Sequence, residues 1–180
     1  MKGYSGAYEE AKTLLGGFPV DLVSVHDPDE YLAAGGSFGD ILGAYESLFE
    51  LKERGETEAV GVGSKDWRVI ERLWRGGVKL DWAMFACAPT LLVLPPELVG
   101  FVNELKAAGV VLIDSAVFNG GFLTGGDMLD YRKAGPIADV WAFKFRERYL
   151  ALCREYELDP AAPAVEYAYW LGFNALALNT

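Results

Sequence analysis

The stretch "GAYESLFELKERGETEAVGVGSKDW", residues 43–67, contains a helical pattern, a stop signal and an apolar run in immediate succession. From Ile41 to Phe49 the apolar side chains recur at helix spacing, and Gly55 is typical of a left-handed helix end. The apolar run Ala59–Val62 then predicts a buried strand. A helix that leads directly into such a strand is the repeating unit of a parallel sheet.

The same alternation extends in both directions along the chain. Helical patterns begin near Asp66, a possible N-cap, and near Pro96, while a long helical region is broken at Pro160 and Pro163 into two helices. Strands that are apolar throughout and are followed by amphipathic helices predict either a doubly wound sheet or a (β/α) barrel. No internal repeat or linker is visible, so we expect one domain over residues 1–180. The other four apolar runs are Val20–Val25, Leu80–Ala86, Val110–Ile113 and Ala175–Leu178.

Composition narrows the classes of function. The chain is 52% hydrophobic and 23% charged, as a folded protein is, and its net charge of -10 works against binding nucleic acid or an acidic membrane surface. No apolar run has the length of a signal peptide core or a membrane span, so we predict a cytoplasmic protein. Cys87 and Cys153 fit reduced, buried thiols. With one histidine and no close cysteine pair, no metal site is expected.

The only histidine, His26, lies in "VSVHDPDE" at the exit of a predicted strand. In both candidate folds ligands meet the carboxyl ends of the strands, where an imidazole can polarise a carbonyl or move a proton. The alternative is a partly buried imidazole that is hydrogen-bonded to a neighbouring loop. Asp27, Asp29 and Glu30 follow in an acidic, proline-broken loop that either binds sugar hydroxyls or is a solvated surface.

Two glycine-containing segments also follow predicted strands. "GVGSKDW" begins like a dinucleotide fingerprint, but Asp66 stands at its third glycine position, so it fails as a Rossmann motif. Gly63 and Ser64 either let a ligand approach the backbone or form a tight turn that binds nothing. The backbone amides of "NGGFLTGGD", residues 119–127, either form an anion-binding nest or belong to a turn without a ligand.

Four quoted segments carry a resemblance to a known family: "DLVSVHD", "GAYESLFELKERGETEAVGVGSKDW", "LDWAMFACAPTLL" and "GVVLIDSAVFNGGFLTGG". They resemble the aldo-keto reductase superfamily, in particular its aldose or L-fucose dehydrogenase branch. The resemblance implies an α/β fold that is a partial (β/α)8 TIM barrel, roughly strands four to eight with their helices. It also implies hydride transfer between NADP or NAD and an aldehyde or sugar hemiacetal.

The resemblance assigns roles to individual residues. His26, at the end of the family's fourth strand, is the histidine that orients the substrate oxygen. Gly63 and Ser64 fall where a serine and an asparagine often hold the nicotinamide carboxamide, so the first hydroxyl is missing. Ser115 replaces the aromatic ring that often stacks on the nicotinamide. The loop that contacts the pyrophosphate falls on Ala116 to Leu123, with Ala116, Phe118, Gly121 and Leu123 as cofactor-binding residues.

The family's first three strands supply the aspartate, tyrosine and lysine of its catalytic tetrad, and we expect them to be absent from this chain. Activity of the chain alone is therefore in question, and a non-catalytic binding or assembly module is the alternative. The outer strands would present unpaired edges, which invite a homo-oligomer or a complementing polypeptide. An unrelated barrel, such as an aldolase or sugar-phosphate isomerase, would have to use Asp27, Asp114 or Lys65.

Overall fold

The computed structural model describes residues 4–178, with side chains from residue 6 onward, as two compact units, 1–83 and 84–180. Asn179 and Thr180, which follow the predicted strand Ala175–Leu178, lie outside the described residues. The helices are α1 Tyr4–Leu14, α2 Pro28–Ala33, α3 Phe38–Glu53, α4 Trp67–Arg75, α5 Pro96–Ala107, α6 Val140–Glu155 and α7 Ala161–Leu171. The strands are β1 Leu22–His26, β2 Ala59–Ser64, β3 Trp82–Ala86, β4 Val111–Ser115, β5 Met128–Leu129, β6 Arg132–Lys133 and β7 Ala175–Ala177.

The strand order is β1-β2-β3 in the first unit and β3-β4-β7 in the second. β3 is counted in both units because the division between them falls within this strand. β1 pairs in parallel with β2, and β4 pairs in parallel with β7. The predicted parallel sheet is therefore confirmed. β5 and β6 form a separate antiparallel pair that the sequence reading missed. The single domain predicted over residues 1–180 stays a prediction, since two compact units need not be two domains.

In the first unit, α3 holds β2 in place. A capping box between Ser37 and Asp40 begins the helix, and Gly55 follows it with a φ of 71°, as its position after the helix requires. The buried Tyr45 donates a hydrogen bond from its hydroxyl to the Gly61 carbonyl at 3.1 Å. A Cβ on Gly61 would lie 2.2 Å from the ring of Trp82, so only glycine lets β2 approach that ring. The helix and the ring together fix the position of the strand that ends at Ser64.

Buried side chains of the second unit pack around β3 and β4 and beneath the segment that follows β4. Around β3 and β4, Phe85 packs edge-on against Phe101 and Phe173, with ring centroids 6.2 and 5.9 Å apart. A second cluster lies under the segment that follows β4, and fully burying such a side chain contributes about 1.5–3 kcal/mol to stability. The segment after β4 is therefore attached to a core of its own. The buried residues of that cluster are Leu92, Phe122, Leu123, Leu129, Ala134, Ala142, Tyr149, Cys153 and Ala164.

Several local predictions are confirmed, and one is wrong. Asp66 caps α4 by accepting a hydrogen bond from the Arg68 amide at 3.0 Å, and the region from 139 to 171 forms two helices. Cys87 and Cys153 are buried free thiols. The acidic segment after His26 is not a loop, because Pro28 fits the first turn of a helix and begins α2. The three acidic side chains therefore lie at the start of a helix.

Candidate functional site

His26 is the last residue of β1 and lies in register with Gly63 of β2. Its side chain is 64% exposed, and its Nδ1 lies 3.2 Å from Oδ2 of Asp27. The structure thus places His26, Gly63 and the neighbouring Ser64 at the same end of two adjacent strands. This end is the one at which parallel α/β folds bind their ligands.

The backbone of Asp27 turns the chain away immediately after His26. Asp27 adopts a left-handed conformation with φ 48° and ψ 49°, which aspartate tolerates better than most residues. Its amide donates a hydrogen bond to the Gly63 carbonyl at 2.8 Å. The turn therefore ends β1 at His26 and leaves the imidazole at the strand exit.

Ser64 is more enclosed than the sequence suggests, since only 3% of its surface is exposed. Its hydroxyl lies 2.6 Å from Oδ1 of Asp29, to which it donates, and it accepts a hydrogen bond from the Asp66 amide at 3.2 Å. Beside it, Lys65 pairs with Glu30, and this hydrogen bond raises the pKa of the lysine. Ser64 and Lys65, at the end of β2, are thus bonded to Asp29 and Glu30 of α2.

In the second unit, Ser115 ends β4 and is nearly buried, and its carbonyl accepts a hydrogen bond from the Cys87 amide at 3.3 Å. Ala116 follows in a left-handed conformation with a φ of 54°. Phe118 is partly buried, and Leu123 is fully buried, so Leu123 offers a ligand only its backbone. The loop from 116 to 127 thus contains all of the remaining predicted cofactor residues, including Gly121.

Most amides of this loop are already used within it. The amides of Phe122 to Gly126 all donate to carbonyls of residues 118 to 122. Within the described part of the chain, the amides of Gly120 and Gly121 donate no hydrogen bond, and both residues have positive φ angles of 72° and 85°. The nest considered from the sequence is therefore narrowed to these two consecutive amides.

Asn119 has a role that the sequence reading missed. It is completely buried, and its Nδ2 donates to the Cys87 carbonyl at 3.3 Å and to Oδ1 of Asp130 at 2.8 Å. These bonds anchor the Asn119 side chain of the loop to the exit of β3 and to the turn between β5 and β6. The Asn-Gly-Gly sequence was the available signal, but it does not reveal partners that are 32 residues away.

Asp114 is a second buried polar residue beside the loop. It is 1% exposed, and both of its carboxyl oxygens are buried without a hydrogen-bond partner among the described residues. Burial raises the pKa of Asp114 to about 8, and the nearby Ser115 amide lowers it by less. Burial of Asp114 therefore favours the protonated form of its carboxyl group.

Residues 4–178 contain no helix that is both long and apolar enough to cross a membrane. No group of three or more histidine, cysteine or acidic side chains among the described residues is arranged to hold a metal ion. A groove of about 380 Å³ beside Tyr8, Phe18 and Glu56 lies at the opposite end of β1 and β2 from His26. We assign it no part in the site.

Comparison with known proteins gives a consistent family. The family model described as "Aldo/keto reductase family" matches residues 5–175. Pyridoxal 4-dehydrogenase from Microbacterium luteolum is 27% identical over 92% of this chain and 49% of the relative. The chain thus spans about half the length of the curated relative that it matches.

Solved structures agree with the fold. An aldo-keto reductase from Bacillus halodurans in its holo form aligns with a TM-score of 0.65 at 19% identity, over 97% of this chain and 55% of that one. An aldo-keto reductase of the silkworm Bombyx mori, complexed with NADPH, aligns with a TM-score of 0.60 at 20% identity, over 96% and 49% of the two chains. The expected partial barrel is confirmed by these alignments.

Proposed function

Because the chain belongs to the aldo/keto reductase family, we propose that it contributes to hydride transfer between NADP or NAD and an aldehyde or sugar hemiacetal, as in an aldose 1-dehydrogenase. The observation that carries this proposal is His26 at the carboxyl end of β1, with most of its side chain exposed and with Gly63 beside it in register. A bound nicotinamide dinucleotide supplies the hydride donor or acceptor. The protein's own residues position the reacting oxygen and its proton.

The contact between His26 and Asp27 favours one tautomer of the imidazole. With Nδ1 3.2 Å from the Asp27 carboxylate, the proton of a neutral ring is held on Nδ1. Nε2 is then an acceptor, which suits the hydroxyl of a hemiacetal better than the oxygen of a carbonyl. With a neutral imidazole, this geometry supports oxidation of a sugar at its hemiacetal carbon as the direction of the reaction.

On the cofactor side, the loop after β4 is the best-supported contact. The undonated amides of Gly120 and Gly121 suit the oxygens of a pyrophosphate, as oriented backbone amides do in other anion sites. Ser64 suits a carboxamide less well in this arrangement, because its hydroxyl already donates to Asp29. Ser115, with no ring, offers the nicotinamide a hydroxyl and backbone groups in place of a stacking surface.

By the resemblance, the tetrad aspartate, tyrosine and lysine lie on the family's first three strands, and we propose that full activity requires those strands as partners of β1, in the same polypeptide or in another. The outer edge of β1 is the proposed attachment point. Among the described residues β1 pairs only with β2, and Leu22 at its start is 55% exposed. If no such partner is used, this chain acts as a cofactor-binding or assembly module without turnover.

Titration of the purified chain with NADPH and with NADH, followed by tryptophan fluorescence, tests the proposal. We expect saturable quenching without turnover, because loss of a general acid or base typically costs about 10²- to 10⁴-fold in rate. Gly121→Glu should abolish the quenching by placing a negative charge beside the pyrophosphate. Gly17→Glu is the matched control, since Gly17 also has positive φ and open space at its Cβ but precedes β1.

Two results would overturn the proposal. The first is no quenching by wild-type protein that unfolds cooperatively. The second is equal quenching by wild type and Gly121→Glu. Turnover of an aldose by the chain alone would instead show that this chain needs no partner to supply the missing tetrad residues.

A further inference from the structure

Arg146, on the second turn of α6, reaches back to the loop that follows β4. Its Nη1 donates a hydrogen bond to the Gly126 carbonyl at 2.6 Å and approaches the Phe122 carbonyl at 3.5 Å. A hydrogen bond from a charged donor is about twice as strong as one between neutral groups. Arg146 thus joins α6 to the loop, although it lies 20 residues after Gly126 in the sequence.

Two aromatic rings lie close to this guanidinium. Its central carbon lies 4.2 Å from the ring centroid of Phe122 and 4.8 Å from that of Phe143. The two rings meet edge to face, with centroids 5.1 Å apart, and Phe122 is fully buried. A planar guanidinium stacks on such rings while donating in its own plane, which a lysine ammonium cannot do.

Gly126 connects Arg146 to the segment that contains the amides of Gly120 and Gly121. The Gly126 amide donates to the Gly121 carbonyl at 2.9 Å, so the residue that Arg146 holds in turn holds Gly121. A Cβ on Gly126 would lie 3.0 Å from that same carbonyl oxygen, so the backbone at Gly126 closely approaches the backbone at Gly121. Asn119 anchors the other end of the loop through Cys87 and Asp130.

We propose that Arg146 is a positioning residue that keeps the amides of Gly120 and Gly121 turned toward an oxyanion. It acts through the carbonyl side of the loop and makes no contact with the anion itself. The identity of that anion as the pyrophosphate of a nicotinamide dinucleotide rests on the proposed function. The hold of Arg146 on the loop does not rest on it, because it follows from contacts within the protein.

The test uses the 180-residue chain with Arg146→Met and Arg146→Lys, and with Arg148→Met as the matched control. Arg148 is a cation on the same helix, and its side chain is exposed. Amide hydrogen exchange is measured without ligand, and NADPH affinity is measured by fluorescence. We expect both Arg146 variants to exchange the amides of 123–126 at least about tenfold faster, with Leu112 in β4 unchanged. We expect both to weaken NADPH binding about tenfold, and Arg148→Met to do neither.

The lysine variant separates positioning from charge. If Arg146→Lys keeps wild-type affinity while Arg146→Met loses it, the charge acts on the ligand directly and the proposal is wrong. Unchanged exchange of 123–126 in both variants overturns it as well. Phe143→Leu removes one of the two rings and leaves the arginine, so it should accelerate amide exchange of residues 123–126 by an intermediate amount. This variant replaces the Arg146 variants in the test if they do not fold.

The exchange and binding measurements distinguish this inference from the proposed function. If wild-type protein binds no NADPH, the proposed function fails, and inorganic pyrophosphate is then used as the probe for the Gly120–Gly121 amides. Unaltered exchange together with intact wild-type binding of NADPH removes the role of Arg146 and leaves the proposed function standing.

Discussion

At the scale of single residues, the second unit buries three side-chain oxygens that have no hydrogen-bond partner among the described residues. Both carboxyl oxygens of Asp114 and the Oδ1 of Asn119 are buried without a hydrogen-bond partner among the described residues. A buried polar group without a partner destabilises the folded state by about 1–3 kcal/mol. For Asp114 the fold limits this penalty by keeping the proton on the carboxyl group.

Asp114→Asn should remove a dependence of stability on pH. The folded pKa is raised from 3.8 to about 8, so the folded state binds the proton more tightly than the unfolded chain does. The stabilisation from that proton is complete below about pH 4 and is lost as the pH rises to about 8, by about 1.4 kcal/mol per pH unit. Urea unfolding between pH 5 and 8 should show a falling stability in wild type and a flatter profile in the variant.

The exposed Asp127 provides the control, because Asp127→Asn should keep the wild-type slope across that range. An equal slope in Asp114→Asn and wild type would mean that the carboxyl of Asp114 reaches solvent when it ionises.

Residues of the candidate site differ in how far the sequence revealed them. His26 was identifiable because it directly follows an apolar run, and its place at a strand exit needs only local information. Asn119 and Arg146 were missed, since their roles depend on partners 32 and 20 residues away. The partner of Ser64 was hidden for the same reason: Asp29 lies 35 residues earlier in the chain.

At the scale of elements, apolar runs located all five strands of the larger sheet but not every strand end. The first run was placed at Val20–Val25, whereas β1 is Leu22–His26. Hydrophobicity marks burial, but a strand ends where pairing ends, and His26 remains paired although it is polar and exposed. α2 and the β5-β6 pair are too short to show a period. The N-cap predicted at Asp66 is confirmed, because a cap acts through neighbouring residues.

Ser37→Ala should destabilise the first unit through the start of α3. The Ser37 hydroxyl accepts a hydrogen bond from the Asp40 amide at 3.1 Å, and the Asp40 carboxylate accepts one from the Ser37 amide at 3.3 Å. Loss of such a cap costs about 1 kcal/mol, which thermal unfolding would detect.

Ser47→Ala is the matched control, because Ser47 lies within the same helix and bonds only to the Gly43 carbonyl one turn earlier. We expect it to be neutral or slightly stabilising, since alanine is the better helix former. Equal losses in the two variants would show that the cap contributes nothing specific.

At the scale of the whole molecule, the resemblance predicted more than the residue patterns did. Patterns alone left a doubly wound sheet and a barrel open, and the family match together with the solved structures decided between them. Among the described residues, β1 is an outer strand that pairs with β2 alone. An exposed strand edge with apolar side chains is a site for pairing with another chain.

We propose that copies of the chain pair through the β1 edge, and Leu22→Lys should then weaken their association. Leu22 is 55% exposed at the start of β1, and a lysine on an edge strand opposes pairing. Losing a buried leucine contact of about 1.5–3 kcal/mol should raise the dissociation constant about tenfold or more. Light scattering after size exclusion, over a range of protein concentrations, would measure it.

Val111→Lys adds the same charge at a similarly exposed position, but β4 is paired on both sides within its unit. It should leave association unchanged. A wild-type chain that stays monomeric at every concentration, or two variants with the same effect, would exclude the β1 edge as the association surface.

The solitary imidazole at the end of β1 gives the molecule a natural spectroscopic label. Because the chain has one histidine and its side chain is 64% exposed, an unlabelled sample gives a single imidazole Cε1–H line in a proton NMR spectrum. A change at the exits of β1 and β2, from a cofactor, a sugar or an added polypeptide, would move that one line. The site can therefore be observed directly in the wild-type chain, without isotopes and without a mutation that would alter it.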